Sequence, residues 1–280
     1  TVISPVGPLL ALGPTGVGKT LLMQTAAQFL DLPLVVADCL GLVSEGVVGR
    51  SLGGLGVGLL QRFHNDPSAL VGTIFFADEF DKLFVTPGLY SQPVGSQLLR
   101  LIEGGDLPLE TSSRDSFEPS VRQLATSSWL FILAGAFQDA YEEKATPARA
   151  VGFATSSGQG CGDSAAAMEI TQEDLTRRGV PRELVGRLRH VVSLHALGRD
   201  ALLRILHSGE FSPVAEINAM LASTGHRIEF SDALLGKIAD EAIQCGTGAR
   251  GLRQKLLSRA GDLLFDAPSD ARERVVRIEQ

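Results

Sequence analysis

The chain has 280 residues, 44% of them hydrophobic and 20% charged, with a formal net charge of −7 at pH 7. This composition predicts a globular protein with a sizeable buried core and argues against an intrinsically disordered chain. The sequence shows no apolar run near the roughly 18 residues of a membrane helix and no secretory signal, and its acidic balance disfavours a nucleic-acid partner. We therefore expect a cytoplasmic protein that binds neither membrane nor nucleic acid.

The three cysteines, Cys39, Cys161 and Cys245, lie far apart and outside any C-x-x-C spacing. This pattern is typical of unpaired thiols in a reducing compartment and not of disulfides or a zinc site. We expect each cysteine to be a buried structural residue.

Five short apolar runs alternate with helix-like segments. The runs occupy residues 9–12, 34–37, 73–77, 130–134 and 191–194. This alternation predicts an α/β fold, and the near-continuous apolarity indicates strands covered on both faces in a parallel five-stranded sheet. Ligands should then bind at the carboxyl ends of the strands.

After residue 197 the pattern becomes mainly helical. We predict a large α/β domain over residues 1–197 and a small C-terminal domain over residues 198–280. A strand at 274–278 is expected to pair with one at 227–230. Within the large domain, a helix at 52–63 contains several glycines and should be intrinsically weak, so it must rely on packing or be mobile.

A complete phosphate-binding loop follows the first strand and opens the helix predicted at 21–30. The loop comprises Gly13, Pro14, Thr15, Gly16, Val17, Gly18, Lys19 and Thr20, with Leu21 as the first residue of the helix. This G-x-x-x-x-G-K-[ST] spacing directs backbone N–H groups and a helix N-terminus at an anion. We expect Lys19 to contact the β- and γ-phosphates of ATP and Thr20 to hold Mg²⁺. The alternative is a glycine turn with a surface lysine.

The apolar run at 73–77 ends in two carboxylates, Asp78 and Glu79. At the carboxyl end of a buried strand, Asp78 is expected to coordinate Mg²⁺ through water, and Glu79 to act as the general base for the attacking water. The alternative is that these residues only cap a helix. Asp81 and Lys82 are expected to form a local ion pair.

Several sequence blocks, taken together, resemble the AAA+ protein unfoldases ClpX and HslU. Besides the phosphate loop, these blocks are residues 76–82, 101–104, 131–137, 183–188 and 248–253. The resemblance implies an AAA+ P-loop NTPase core followed by a helical lid domain. It also implies a hexameric ring that hydrolyses ATP to unfold and translocate protein substrates.

The resemblance assigns functional roles to two arginines. Arg187 corresponds to the arginine finger, which stabilises the γ-phosphate held by a neighbouring subunit; the alternatives are a cation near a helix C-terminus, or Arg189 as the finger. Arg250 corresponds to the sensor-2 residue that contacts nucleotide in the same subunit; the alternative is a surface arginine. The strand at 130–134 ends in Ala134, so no sensor-1 residue is named.

Two loops bear on substrate and partner. Gly46, Val47, Val48 and Gly49 align with the axial pore loop of the family, but Val47 replaces the expected gripping aromatic. Val151, Gly152 and Phe153 lie where ClpX carries the tripeptide that docks on the peptidase ClpP. The alternatives are a simple connection for the first loop and an uninvolved tether or core phenylalanine for the second.

The sequence therefore favours a ClpX-type unfoldase that uses ATP and Mg²⁺, with protein substrates and a ClpP-type peptidase as expected partners. The alternative is an AAA+ remodelling or assembly factor that does not thread its substrate, which Val47 favours. A DNA-acting AAA+ protein is disfavoured by the net charge.

Overall fold

The computed structural model of the chain describes residues 7–42, 51–85, 91–110, 117–137, 170–208, 212–222, 226–265 and 274–278. The strands are β1 (Leu9–Leu12), β2 (Leu34–Asp38), β3 (Ile74–Asp78), β4 (Asp106–Pro108), β5 (Gln123–Ala125), β6 (Leu130–Gly135), β7 (His190–Ser193), β8 (His226–Phe230) and β9 (Arg274–Ile278). The helices are α1 (Lys19–Leu30), α2 (Leu52–Arg62), α3 (Lys82–Val85), α4 (Ser91–Ile102), α5 (Gln172–Arg177), α6 (Arg182–Val185), α7 (Arg199–His207), α8 (Pro213–Ala222), α9 (Asp232–Gln244) and α10 (Gly248–Phe265). A 3-10 helix spans Pro67–Leu70.

The chain divides into two compact units. The first contains the residues up to Gly13 together with Lys19–Leu194, and the second contains Pro14–Gly18 together with His195–Gln280. Strands and helices alternate in the first unit, whereas helices dominate the second.

The first unit is built on a five-stranded parallel sheet in the order β2-β3-β6-β1-β7. Its strands are the five that the apolar runs predict, with ends displaced by at most one residue. Because all five run in the same direction, their carboxyl ends lie along one edge of the sheet. There the register sets Asp38 beside Asp78, and it pairs Leu12 with Gly135. The predicted α/β fold is confirmed.

The two faces of the sheet have cores of unequal size. One face contributes Leu10, Phe75 and Leu133 to a large cluster that also contains residues of α2, α4 and α6. The other contributes alternate residues, including Phe76 and Ile132, to a small cluster that contains Ala27 of α1. The period-2 alternation of strand side chains assigns neighbours such as Phe75 and Phe76 to opposite faces.

The glycine-rich helix α2 depends on close packing. A Cβ placed on Gly53 lies 2.7 Å from the Pro108 carbonyl oxygen, and one on Gly56 lies 2.7 Å from Cδ2 of Leu109. These two glycines therefore let α2 approach β4 and the residue that follows it. By contrast, a Cβ on Gly58 meets no atom within 4 Å. Packing thus compensates for the low helix propensity of this sequence.

Strands β4 and β5 form a short antiparallel hairpin that the sequence did not reveal. Leu107 and Leu124 face each other in its register and are both buried. A three-residue strand is too short to display an alternating pattern, which explains the omission.

The second unit has its own core of helices α7 to α10 with strands β8 and β9. The mainly helical pattern predicted after residue 197 is confirmed, and Leu234, Ile238, Leu252 and Leu256 are all buried in this core. Strands β8 and β9 pair, as expected, and the structure shows that they run parallel. Among the helices of the described residues, none combines the length and apolarity needed to cross a membrane.

Candidate active site

The loop between β1 and α1 leads from the sheet edge into the N-terminus of α1. Gly16 and Gly18 have φ angles of 77° and 91°, in the left-handed region that glycine adopts without steric cost. The Gly13 amide donates a hydrogen bond to the Gly135 carbonyl oxygen at 3.2 Å, which ties the start of the loop to the end of β6. The first turn of α1 contains no acidic residue, so the positive end of its dipole favours an anion.

The Lys19 side chain lies back along this loop. Its Nζ atom donates a hydrogen bond to the Gly13 carbonyl oxygen at 2.7 Å. Within the described part of the chain, the amides of residues 15–18 donate no backbone–backbone hydrogen bond. A cation beside amide donors suits a phosphate group, because each of them provides a hydrogen bond to an oxygen anion. Leu21, the predicted start of the helix, lies in the first turn of α1 and is about half exposed.

The Thr20 hydroxyl donates a hydrogen bond to Oδ2 of Asp78 at 2.6 Å. This contact joins the first turn of α1 to the end of β3. The other carboxylate oxygen of Asp78 accepts a hydrogen bond from the Glu79 amide at 3.0 Å. A hydroxyl and a carboxylate at this distance offer the hard oxygen atoms that Mg²⁺ prefers, so the two residues fit a magnesium ion bound together with a nucleotide.

Glu79 has an unusual backbone conformation, with a φ of 55°. This left-handed conformation costs a non-glycine residue about 1–3 kcal/mol. Neighbouring hydrogen bonds hold it: the Phe80 amide donates to the Ala134 carbonyl oxygen at 2.8 Å, and the Lys82 amide donates to the Glu79 carbonyl oxygen at 2.9 Å. The turn therefore leaves the line of β3 at Glu79 with its side chain only partly buried.

Asp81 is part of the framework of this edge. Its carboxylate is 3.3 Å from Nζ of Lys82, which is the predicted ion pair, and it also accepts a hydrogen bond from the Ala136 amide at 3.3 Å. The side chain is only 4% exposed. Asp81 thus links the turn after β3 to Ala136, in the segment after β6. The strand predicted at 130–134 ends in Ala134 without a polar side chain, so the sequence did not indicate this contact.

Cys39 lies at the same edge, and its amide donates a hydrogen bond to the Asp78 carbonyl oxygen at 3.0 Å. Burial, reinforced by the charges of Asp38 and Asp78, raises the pKa of its thiol far above the usual value. A thiol of this kind is not a nucleophile at neutral pH, which agrees with a structural role. Cys245 was expected to be buried, but it follows the last turn of α9 and is exposed.

Arg187 lies on the turn that follows α6, and its guanidinium pairs with a carboxylate. Its Nη2 atom is 2.6 Å from Oε1 of Glu103, the residue after α4. The sequence did not identify this partner. Two glycines follow Glu103, which is typical of a helix end, and a carboxylate there requires a cation; this pattern indicates a cationic partner but not which one.

The second unit places Arg250 in the first turn of α10, where it is exposed. The Ala249 amide in the same turn donates a hydrogen bond to the Gly16 carbonyl oxygen at 2.9 Å. Arg253 pairs instead with Glu216 of α8 at 2.8 Å. Arg250 is therefore the more available cation of these two.

Cys161 and two groups of predicted functional residues lie outside the described residues. The two groups are the pore-loop residues Gly46, Val47, Val48 and Gly49, and the docking residues Val151, Gly152 and Phe153. The structure therefore brings together Lys19, Thr20, Asp78 and Glu79 at the sheet edge. It places Arg187 on a separate turn of the same unit.

Known protein families match both parts of the chain. The model for the AAA domain of the Cdc48 subfamily matches residues 4–191, which is well over half of the sequence. The model for the C-terminal D2-small domain of ClpB protein matches residues 197–277. The α/β unit and the helical unit are thus the core and the small domain of an AAA+ protein. The chain belongs to the AAA+ ATPases of the Clp/Hsp100 family.

Proposed function

We propose that this ATPase is a protein unfoldase, which hydrolyses ATP in a hexameric ring and threads protein substrates through it. The observation that carries the hydrolytic part is the 2.6 Å contact between Thr20 and Asp78, with Lys19 and Glu79 adjacent to it in the chain. The family match supports protein substrates and oligomerisation. The resemblance to ClpX and HslU supports the threading step.

The loop residues bind and orient ATP. The amides of residues 15–18 and the N-terminus of α1 receive the phosphates, and Lys19 exchanges its contact with the Gly13 carbonyl oxygen for the β- and γ-phosphates. Leu21 continues this loop into the helix. Thr20 and Asp78 would hold Mg²⁺, and the ion would withdraw charge from the phosphates when bound.

Glu79 is the general base of the reaction. Its carboxylate accepts a proton from a water molecule as the water oxygen attacks the γ-phosphorus and the bond to the β-phosphate oxygen breaks. The left-handed backbone at Glu79 supports this role, because it turns the residue out of the strand at the ligand-binding edge. Asp81 is a weaker candidate, since the Ala136 amide and Lys82 already engage its buried carboxylate.

Arg187 and Arg250 are the two cations that the resemblance assigns to nucleotide. Arg187 reaches the γ-phosphate bound by the neighbouring subunit and stabilises the charge that develops in the transition state. Arg250 contacts nucleotide in its own subunit. Its position supports this assignment, because a cation in the first turn of a helix is disfavoured by the dipole unless an anion lies nearby.

Substrate handling is assigned to the two loops. Gly46, Val47, Val48 and Gly49 form the pore loop, and Val151, Gly152 and Phe153 dock on a ClpP-type peptidase. Each docking side chain contributes weakly, but six copies on one ring raise the effective concentration and act together. The proposed location is the cytoplasm.

A second candidate function is remodelling or assembly of protein complexes without threading. Val47 favours it, because valine offers a smaller gripping surface than an aromatic residue. The two candidates share ATP hydrolysis and ring formation. They differ in whether a folded substrate passes through the pore.

The test is degradation of a stably folded, tagged protein in the presence of ATP, with and without a ClpP-type peptidase. The unfoldase is expected to degrade the substrate only when both ATP and peptidase are present. Replacing Val151 and Phe153 with serine should abolish degradation and leave ATP turnover and ring assembly unchanged. Loss of ATP turnover in that variant would make Phe153 a core residue. Substrate that stays folded in every mixture would favour the remodelling function.

A further inference from the structure

An ion pair connects Arg187 to a distant part of the first unit. Its Nη2 atom lies 2.6 Å from Oε1 of Glu103, and the two side chains are 47% and 39% exposed. Arg187 follows α6, whereas Glu103 follows α4. The ion pair therefore links the proposed finger to the residue that follows α4.

The end of α4 holds Glu103 in a defined place. Gly104, with a φ of 85°, ends the helix, and its amide donates a hydrogen bond to the Leu101 carbonyl oxygen at 2.9 Å. The Gly105 amide donates to the Arg100 carbonyl oxygen at 2.9 Å. These two hydrogen bonds form a Schellman motif, so the backbone of Glu103 is fixed between the last helical turn and the cap.

Both backbones are also anchored to the core. The hydroxyl of the buried Thr126 lies 2.6 Å from the Gly105 carbonyl oxygen, which fastens the end of α4 to the end of β5. The Arg187 amide donates a hydrogen bond to the Leu184 carbonyl oxygen at 3.0 Å, and Leu184 and Leu188 are buried. The ion pair therefore links two backbone segments, the end of α4 and the turn after α6, that hydrogen bonds hold in place.

We propose that Glu103 is a positioning residue, which orients the Arg187 guanidinium toward the ATP of the neighbouring subunit. A carboxylate at the C-terminal end of a helix is unfavourable unless a cation accompanies it, and Arg187 supplies that cation. The guanidinium has five N–H donors, and the pair engages one terminal nitrogen, so donors remain for a phosphate. This inference rests on the proposed finger role of Arg187.

The strength expected of the Glu103–Arg187 ion pair is enough to orient Arg187 but not to keep it away from a phosphate. Exposed ion pairs shift an equilibrium by no more than about fivefold. Such a pair does not hold an arginine away from a γ-phosphate, which carries more charge than a carboxylate. It does bias the rotamers of a long, flexible side chain toward one direction before the neighbour arrives.

The first test is the steady-state ATPase kinetics of Glu103→Gln in the assembled protein. The kcat is expected to fall about two- to fivefold, while KM for ATP changes by less than about twofold, because Glu103 does not touch the nucleotide. Glu103→Asp keeps the carboxylate and should recover part of the lost turnover. The matched control is Glu173→Gln, which removes an exposed glutamate that pairs with Arg177 at 3.8 Å in the same unit. The control should retain wild-type kinetics.

Adding Glu103→Gln to Arg187→Ala separates positioning from folding. If Glu103 acts through Arg187, the double variant should have the same kcat as Arg187→Ala alone. An equal further loss in that background would show a general structural effect and overturn the inference. A higher or unchanged kcat for Glu103→Gln in the wild-type background would also overturn it. If Arg187→Ala itself hydrolyses ATP normally, the finger assignment fails first, and that outcome is distinct.

Mixed oligomers identify which subunit carries the defect. Glu79→Gln subunits keep Arg187 and Glu103 but lack the proposed base, so they supply intact fingers without hydrolysing ATP. Mixing them with Glu103→Gln subunits should raise turnover per hydrolysing subunit above that of Glu103→Gln oligomers. If turnover does not rise in mixtures shown to co-assemble, Glu103 does not act on the neighbouring site.

Discussion

The sheet edge and the turn after α6 belong to the same unit but hold their functional side chains in different ways. At the edge, Asp78 ends strand β3, in which Phe75 and Phe76 are almost fully buried on opposite faces of the sheet. Both carboxylate oxygens of Asp78 accept hydrogen bonds. Arg187, in contrast, is about half exposed and is held by one surface ion pair. The groups proposed for hydrolysis are thus held by contacts within this unit, whereas we propose that the more exposed arginine acts on a neighbouring subunit.

The largest effect is expected from Glu79→Gln, which tests the role of the sheet edge in hydrolysis. The amide keeps the shape of the side chain but does not accept the proton, so ATP turnover should fall by about 10²–10⁴-fold while ATP binding persists. Turnover is measured by phosphate release, and binding by titration with a fluorescent ATP analogue. The control is Glu118→Gln, an exposed glutamate of the same unit. Hydrolysis near the wild-type rate would remove Glu79 from its role.

Lys19→Ala affects the same edge at the binding step. Removing a charged donor to the phosphates should weaken ATP binding by about 10- to 100-fold, because charge-assisted hydrogen bonds contribute about 1.5–3 kcal/mol each. Lys82→Ala removes a lysine that pairs with Asp81 outside the loop, and we expect it to bind ATP normally. Equal affinities for the two variants would contradict the assignment of the loop.

A smaller effect is expected from alanine substitutions in helix α2, at one glycine that is closely packed and at one that is not. Gly53→Ala should destabilise the protein by about 1–3 kcal/mol, because the new methyl group would lie 2.7 Å from the Pro108 carbonyl oxygen. Gly58→Ala should stabilise it by about 0.5–1 kcal/mol, since its Cβ enters open space and alanine favours the helix. Denaturant unfolding of both variants measures the difference. The same sign for both would mean that α2 does not pack as described.

The sequence was sufficient for the sheet and for the edge residues. Near-continuous apolar runs such as 73–77 exclude most alternatives to a buried strand, and a parallel sheet requires Asp78 and the phosphate loop to share one edge. The spacing of glycines and Lys19 then indicates the chemistry. The mainly helical pattern after residue 197 was equally sufficient for the class of the second unit.

Features that depend on contacts between distant segments were not predictable. No local pattern indicates that Glu103 meets Arg187, or that Asp81 accepts a hydrogen bond from the Ala136 amide. The left-handed backbone of Glu79 is also invisible in the sequence, because glutamate rarely adopts it. The packing role of Gly53 became evident only from the position of the Pro108 carbonyl oxygen.

We propose that one subunit supplies the general base, Glu79, and that a neighbouring subunit supplies Arg187. The most direct measurement is ATP turnover in oligomers mixed from Arg187→Ala and Glu79→Gln subunits. Neither variant alone should hydrolyse ATP well, but an Arg187→Ala subunit beside a Glu79→Gln subunit has an intact base and receives an intact arginine, so the mixture should regain activity. Mixtures that co-assemble on gel filtration and remain inactive would contradict this account.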